Sequence, residues 1–396
     1  MALPAQVLAV TAANIRSIPQ RLGNSLVIVV GVAGVVAVLI LVLTMFVDFR
    51  ATIQGDGQPD RAIILPRGAT TEYEGSLSRE TVAAVMNAPG IKHDQHAQPI
   101  GSAEVILVAP VARKVDNSDV NVTLRGVGGQ YFIMRPELKL VSGRMFRPGN
   151  QELLAGASAG AQFAGLDIGN QVRLQDGDWT VVGTFGGGNG SRDSEVIADA
   201  LTVMSAYKLD AFNTMGVMLE SPGAIASLRE ALSRDPTLQV DVRAEPEYLA
   251  TASAGVNRML QLVAYSVGSI MALGALFAAL NSMTSAVAAR TVEIATLRAI
   301  GFSPSAVAVS VLTEALLLAL LGAVLGVAVA YLAFNGTTIS TLGGAVWDSQ
   351  LVYSLSITRS VTATAILLAC TLGLLGGVYP AIRAARSSIA DALHES

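Results

Sequence analysis

Four stretches of this chain are almost free of charge, and they decide what it can fold into. Ser25–Phe46, Met259–Ala289 and Val361–Pro380 carry no Asp, Glu, Lys or Arg, and Val307–Phe334 carries only Glu314. About 20 consecutive apolar residues cross the hydrocarbon core as a helix, so each run reads as a membrane span. The charge missing from these runs is gathered between Asp48 and Arg258, which holds 19 Lys+Arg and 25 Asp+Glu, a net of 19 − 25 = −6. That balance fits a water-exposed domain and leaves no basic footprint for nucleic acid, so the membrane is an expected partner and nucleic acid is not.

Short arginine-bearing flanks orient the spans. Arg16 and Arg21 precede the first, Arg290 and Arg298 separate the second from the third, and Arg383 and Arg386 follow the fourth. Short basic loops stay cytoplasmic, whereas a long domain crosses largely regardless of its charge. The expected order is a cytoplasmic amphipathic segment at 1–24, a first span at 25–47 and an extracytoplasmic domain at 48–258. A second span at 259–289, a cytoplasmic helix at 290–304 and a third span at 305–334 follow. An extracytoplasmic loop at 335–357, a fourth span at 358–380 and a cytoplasmic tail at 381–396 complete it. Both termini then face the cytoplasm of an inner (plasma) membrane. The first run exceeds a signal-peptide core and no small-residue cleavage pattern follows it, so an uncleaved anchor is expected. Cys370 lies in the fourth run, which leaves the exported domain without disulfides.

The outer interval reads as α+β. Strand Arg61–Leu65, a helix from Ser78 to Pro89-Gly90 and a strand over Ile91–Ile100 form one βαβ unit. Strand Met215–Glu220, a helix opened by Ser221-Pro222 and strand Leu238–Arg243 form a second. Two such units predict a split, ferredoxin-like lobe. Between them, 142–213 reads as a β-rich inserted lobe, with strands Val172–Leu174 and Trp179–Phe185 around a turn at Asp176-Gly177-Asp178. The Gly186–Ser191 run lacks the Lys-Ser/Thr ending of a phosphate loop and reads as a β-loop. His93 and His96 with Asp94 are too thin a ligand set for a metal. The many carboxylates look scattered, as on a solvated surface. From Pro246 to Ala289 the chain reads as one unbroken helix of ~66 Å, long enough to join the outer domain to the inner face.

The residues 289–301 between the second and third runs form a short charged helix with defined ends. Gly301 suits the left-handed position that closes a helix, and Ser303-Pro304 supplies an N-cap and first turn for the next. Arg290 and Glu293 are three apart and able to pair, while Ile294, Leu297 and Ile300/Gly301 make an apolar stripe. Glu314, an acid inside a span, is a functional candidate by default, with an ion pair to Arg290 or Arg298 as the structural alternative. Gly322 with Gly326, and Gly373 with Gly377, have the spacing for close helix packing.

Arg290, Glu293, Ile294, Leu297, Arg298 and Gly301 together resemble the R-x-x-E-I-x-x-L-R-x-I/M-G coupling segment of MacB/FtsX-like ABC transporter permeases. Gly373 through Arg386 is similar to that family's GxxxGxxPAxRAAR ending, in which Pro380 would end the last span and Arg383 and Arg386 hold its cytoplasmic end. Ser388 stands where the family's tail commonly has Pro, before Ile389–Leu393. Leu166–Asn170 and Trp179–Gly183 resemble a run of MacB-like outer domains. The resemblance implies a mechanotransmission permease, with 290–304 coupling to an ABC ATPase present in two copies. No P-loop occurs here, so the resemblance is to a DevC-like permease subunit without a fused ATPase; ATP and magnesium are expected in a separate partner, with no cofactor, metal or enzymatic activity in this chain. A second permease copy (a homodimer or a close paralogue), a periplasmic adaptor and an outer-membrane channel are further implied partners, for export or efflux. An FtsX-like regulator of an outer enzyme and a lipoprotein-releasing permease remain alternatives. Outside the family, the alternative is a membrane-anchored sensor.

Overall fold

The computed structural model describes residues 6–7, 11, 22–175, 177–187, 190–340 and 352–386. The N-terminal arginines Arg16 and Arg21 and the tail beyond Arg386 lie outside them. The chain divides into two units, Met1–Val47 with Leu260–Thr337 and Leu355–Ser396, and Asp48–Met259 with Thr338–Ser354.

In chain order the described elements are α1 (Leu22–Gln54), β1 (Arg61–Pro66), α2 (Arg79–Met86), β2 (Gly101–Ala112), β3 (Asp119–Val127) and α3 (Tyr131–Met134). Next come β4 (Lys139–Gly143), β5 (Glu152–Gly156), α4 (Ala157–Gln162), β6 (Gln171–Leu174), β7 (Gly177–Gly186), β8 (Val196–Asp199) and α5 (Ala200–Tyr207). Then follow β9 (Thr214–Met218), α6 (Ala224–Ser233), β10 (Val240–Ala244), α7 (Glu245–Ala252), α8 (Ala254–Ala288) and α9 (Thr291–Ala299). The last are α10 (Pro304–Phe334), β11 (Thr338–Ser340), β12 (Val352–Ser354) and α11 (Arg359–Arg386).

The Asp48–Met259 unit is built on one sheet in the order β10-β1-β9-β2-β3-β8-β5-β7-β4, with β6 on β7. Its first four strands are antiparallel throughout, with Ala62 opposite both Ala244 and Val217, and Gly101 opposite Val217. Two βαβ units interleaved this way give the expected split, ferredoxin-like arrangement. Ser78 caps α2, its Oγ accepting the Thr81 N–H at 3.2 Å, and Gly90 at φ +90° turns the chain away after it. The second crossover helix starts two residues later than Ser221-Pro222 implies, with Gly223 at its N-cap.

The strand expected over Ile91–Ile100 is a turn instead, and β2 begins at Gly101. Asp94 Oδ1 accepts the N–H groups of His96 and Gln98 at 2.8 and 2.9 Å, a side-chain-closed turn that outcompetes extended pairing. The β-rich segment at 142–213 is not a separate insert either. Residues 101–104 of β2 pair with β9 and residues 105–112 with β3, so one long strand carries the sheet from the first half into the second. The β6–β7 hairpin forms, but Gly177 and Asp178 of the expected turn are strand residues, paired with Leu174 and Arg173, and Asp176 lies outside the described residues. Trp179 is buried in the same core cluster as Phe163 and Val181.

The predicted unbroken helix from Pro246 is interrupted at Ser253, which separates α7 from α8 at φ −85° and ψ −7°. Its Oγ donates to the Leu249 carbonyl at 2.7 Å and accepts from Asn257 Nδ2 at 3.2 Å. The Ser253 N–H still donates to the Leu249 carbonyl at 3.0 Å and the Asn257 N–H to the Ser253 carbonyl at 2.9 Å, so the interruption is confined to one residue whose hydroxyl shares the Leu249 carbonyl.

In the other unit, α1, α8, α10 and α11 are each long and apolar enough to cross a membrane. Small residues set their packing. A Cβ on Gly322 or Gly326 of α10 would meet α1, at 2.8 Å from the Val29 carbonyl oxygen and 2.6 Å from that of Ala33. Gly373 and Gly377 of α11 face Ala319 and Ala315 of α10, and Gly376 faces Ala279 of α8. All four predicted packing glycines thus work within this chain, as close-approach points between helices. Pro380 does not end the fourth helix, which continues to Arg386. The residue four back, whose carbonyl loses its donor, is Gly376, which adds no side chain to the crowding. Arg383 and Arg386 therefore sit within the last helical turn, where basic charge complements the helix dipole.

Candidate coupling site

The short helix α9 sits between α8 and α10, and local chemistry closes its exit. At its exit Gly301 adopts φ +101°. The Phe302 N–H donates to the Leu297 carbonyl and the Gly301 N–H to the Arg298 carbonyl, each at 3.1 Å. That is the Schellman pattern, and it requires the positive φ that glycine adopts without strain. Ser303 then caps α10, its Oγ accepting the Ala306 N–H at 3.2 Å, with Pro304 in the first turn.

Arg290 does not pair with Glu293. It forms a two-pronged ion pair with Glu314, Nη1–Oε2 and Nη2–Oε1 each at 2.9 Å. Tertiary packing brings Glu314 to Arg290, and a buried carboxylate competes for the guanidinium better than an exposed neighbour on the same helix. The predicted apolar stripe is also split. Ile294 is buried in one cluster with Val287, Val307 and Val311, Leu297 and Arg298 are half-buried, and Ile300 is 69% exposed. The open face of α9 consists of Val292, Glu293, Thr296, Ala299 and Ile300. Of these, sequence reasoning assigned a coupling role to Glu293 and placed Ile300 on one apolar stripe with Ile294 and Leu297. The 292, 296, 300 spacing is the signal that identifies a second apolar edge on that helix.

Beside the ion pair is a cavity of about 260 Å³ lined by Ser25, Ile28, Ser282, Met283, Ala286, Arg290, Glu314 and others of the same bundle. No group of three or more His, Cys, Asp or Glu is placed to hold a metal among the described residues. The chemistry on offer at α9 is ionic and apolar contact, which suits docking.

Of the residue windows matched by known families, 22–235 correspond to the MacB-like periplasmic core domain and 265–389 to the FtsX-like permease C-terminal domain. The chain belongs to the MacB/FtsX-like ABC permease family. As such it is a membrane protein with an extracytoplasmic domain, and α9 falls inside the FtsX-like match. ABC transporter permease YtrF of Bacillus subtilis is 31% identical over 134 residues, 32% of this chain and 30% of that protein. Macrolide export ATP-binding/permease protein MacB of Rhodopirellula baltica is 27% identical over 272 residues, 57% of this chain and 38% of that protein. The matches thus span about a third of these relatives' own lengths. Among solved structures, the extracellular domain of the transporter YknZ from Gram-positive bacteria aligns at 16% identity and TM-score 0.36, over 46% of this chain and 99% of that one. The periplasmic region of MacB from Actinobacillus actinomycetemcomitans aligns at 17% identity and TM-score 0.37, over 53% and 95%.

The outer domain of this MacB/FtsX-like permease holds a feature that the sequence reading missed. Its carboxylates are not all on a solvated surface. Arg125 on β3 meets Glu72 at 2.8 Å, Glu104 at 2.6 Å and Glu195 at 2.6 Å, all buried or nearly so. Arg192 approaches Glu72 and Glu195 at 3.6 Å. A linked group joins Arg61 to Glu137 at 2.7 Å, and Arg135 to Glu245 at the start of α7. Burial pushes the Glu72 carboxyl up, but Arg125 and Arg192 outweigh it and hold the group down at about 2. Removing one member of such a network leaves an uncompensated buried charge, so it fixes the relative positions of β1, β2, β3 and α7.

Proposed function

We propose that this MacB/FtsX-like permease converts ATP hydrolysis in a separate ATPase subunit into movement of its outer domain, and that this movement serves export. In this reading α9 faces the cytoplasm, as do both termini, in an inner membrane. Two ATPase copies bind and turn over ATP with magnesium, each engaging the α9 of one permease copy. A second copy of this chain or a close paralogue completes the pair, and a periplasmic adaptor with an outer-membrane channel receives what is exported. The observation that carries the reading is the open face of α9. A nine-residue helix closed at its exit by Gly301 presents Val292, Glu293, Thr296 and Ile300 outward while its other side is buried in the bundle. The macrolide-export designation of the Rhodopirellula relative favours export as the use of that motion.

Glu293→Lys reverses the one acidic charge on that face. An ATPase recovered with the wild-type chain is expected to be lost from the variant, with export falling at least tenfold while membrane levels hold. Unchanged ATPase recovery and unchanged export in Glu293→Lys overturn the reading.

A further inference from the structure

Arg290 occupies the elbow between α8 and α9, at the N-cap position of the short helix, and makes no side-chain cap there. Its guanidinium reaches instead to Glu314, and both side chains are only 6% exposed. Glu314 lies ten residues beyond Pro304 (314 − 304), roughly 15 Å along α10 at 1.5 Å per residue. The pair therefore ties the elbow to the body of the third span and not to its near end. One turn along α9, Ile294 is buried with Val307 and Val311 of α10. The far end of α9 is locked to the start of α10 through Gly301 and Ser303.

We infer that Arg290 and Glu314 are positioning residues whose two-pronged pair makes the short helix and the third span move as one piece. Force applied to α9 then reaches α10 instead of being lost as rotation of α9 about its own elbow. The source of that force rests on the proposed ATPase docking; the pair itself does not. Two properties suit the pair to the task. An arginine in a protein cannot shed its charge, and parting it from Glu314 would leave two unpaired, largely buried charges within the bundle. Apolar contacts such as those of Ile294 are non-directional and permit sliding, whereas a planar fork on a carboxylate fixes orientation as well as distance. Both Glu314 oxygens are taken up by the guanidinium, which argues for a joint over a transported-ion site. The Arg290 Nε has no hydrogen-bond partner in the described structure, so the fork carries the orientation of the group.

The test uses the full chain in nanodiscs, with Cys370→Ala removing the native cysteine. Spin labels are placed at Ala299 on α9 and Leu321 on α10, both exposed. Double electron–electron resonance is expected to give one narrow distance in the wild-type background. Glu314→Gln should at least double the width of the distribution. Arg290→Lys keeps the charge without the fork and should fall between the two. The exchanged pair Arg290→Glu with Glu314→Arg should narrow the distribution again, a rescue that a merely space-filling role would not produce. Where Glu314→Gln does not insert, Arg290→Met with Glu314→Leu leaves no unpaired charge and should show the same broadening. A distribution as narrow as wild type in Glu314→Gln or in the apolar pair overturns the inference. A chain that recovers no ATPase yet broadens as described retains the joint and loses only the docking reading.

Discussion

Replacing Gly326 with alanine adds a single methyl group at the closest approach of α10 to α1. The new Cβ would lie 2.6 Å from the Ala33 carbonyl oxygen and 2.8 Å from Val36 Cβ, where ordinary contact begins at 3.4 Å. Relieving the backbone clash alone requires a separation of 3.4 − 2.6 = 0.8 Å. The helices cannot tilt around the site, because Gly322 one turn earlier makes the same close approach to Val29 and Val32. Overpacking of this kind costs about 1–3 kcal/mol. Alanine's better helix propensity returns about 0.5–1 kcal/mol. The clash is with a backbone oxygen and a Cβ, not with a flexible side-chain end, which places the net loss at about 1 kcal/mol or more. Gly274→Ala on α8 is the control, since nothing lies within 4 Å of its Cβ position. It should be neutral or slightly stabilising. Unfolding of the purified chain against SDS mole fraction, followed by circular dichroism, reads both. A Gly326→Ala chain as stable as wild type, or a Gly274→Ala chain equally weakened, would refute the packing argument.

Acid should attack the outer domain through Glu72. Its folded-state value of about 2 lies below the usual 4.5, so its contribution is complete above pH 4.5 and fades as the pH falls toward 2. Emission from buried Trp179 follows the loss; Glu72→Gln should lower stability at neutral pH and flatten that part of the acid profile, and superimposable profiles would contradict the assignment. Gly301→Val forces a β-branched residue into the left-handed region at a cost of about 1–2 kcal/mol. The Gly301 and Phe302 amides should then lose hydrogen-exchange protection, and Gly301→Asn should lose less, because asparagine tolerates that conformation.

Features governed by neighbouring residues were legible in the sequence. Uncharged runs announced four helices, Gly301 and Ser303-Pro304 marked the corner after α9, and two βαβ patterns announced the antiparallel β10-β1-β9-β2 core. Features decided by residues far apart were not. The sequence leaves Glu314 to reach either Arg290 or Arg298, and the choice of Arg290, 24 positions away, comes only from the packing of α10 beside the elbow. Glu72, Glu104 and Glu195 look like surface acids until β3 carries Arg125 among them. At Ile91–Ile100 a correct preference for extended chain lost to the Asp94 turn. At Ser253 the helical pattern was right and the backbone bonds on both sides persist, with only a local departure in dihedral angles where the hydroxyl shares the Leu249 carbonyl. Proline at 380 carried a breaker signal that the surrounding bundle overrode.

The placement of β1 has a consequence for how the outer domain comes into being. It lies inside the sheet, yet its partners are β9 and β10, with Arg61 opposite Met218 and Ala62 opposite Ala244. Both arrive from the far end of the domain, after nearly all of it has been synthesised and carried across the membrane. Pairing at such sequence separation is entropically slow, and strands left waiting expose edges open to wrong partners. The first strand to emerge is among the last to be satisfied. Formation of this domain is therefore expected to follow translocation instead of accompanying it, with the nascent chain dependent on protection until β10 is in place.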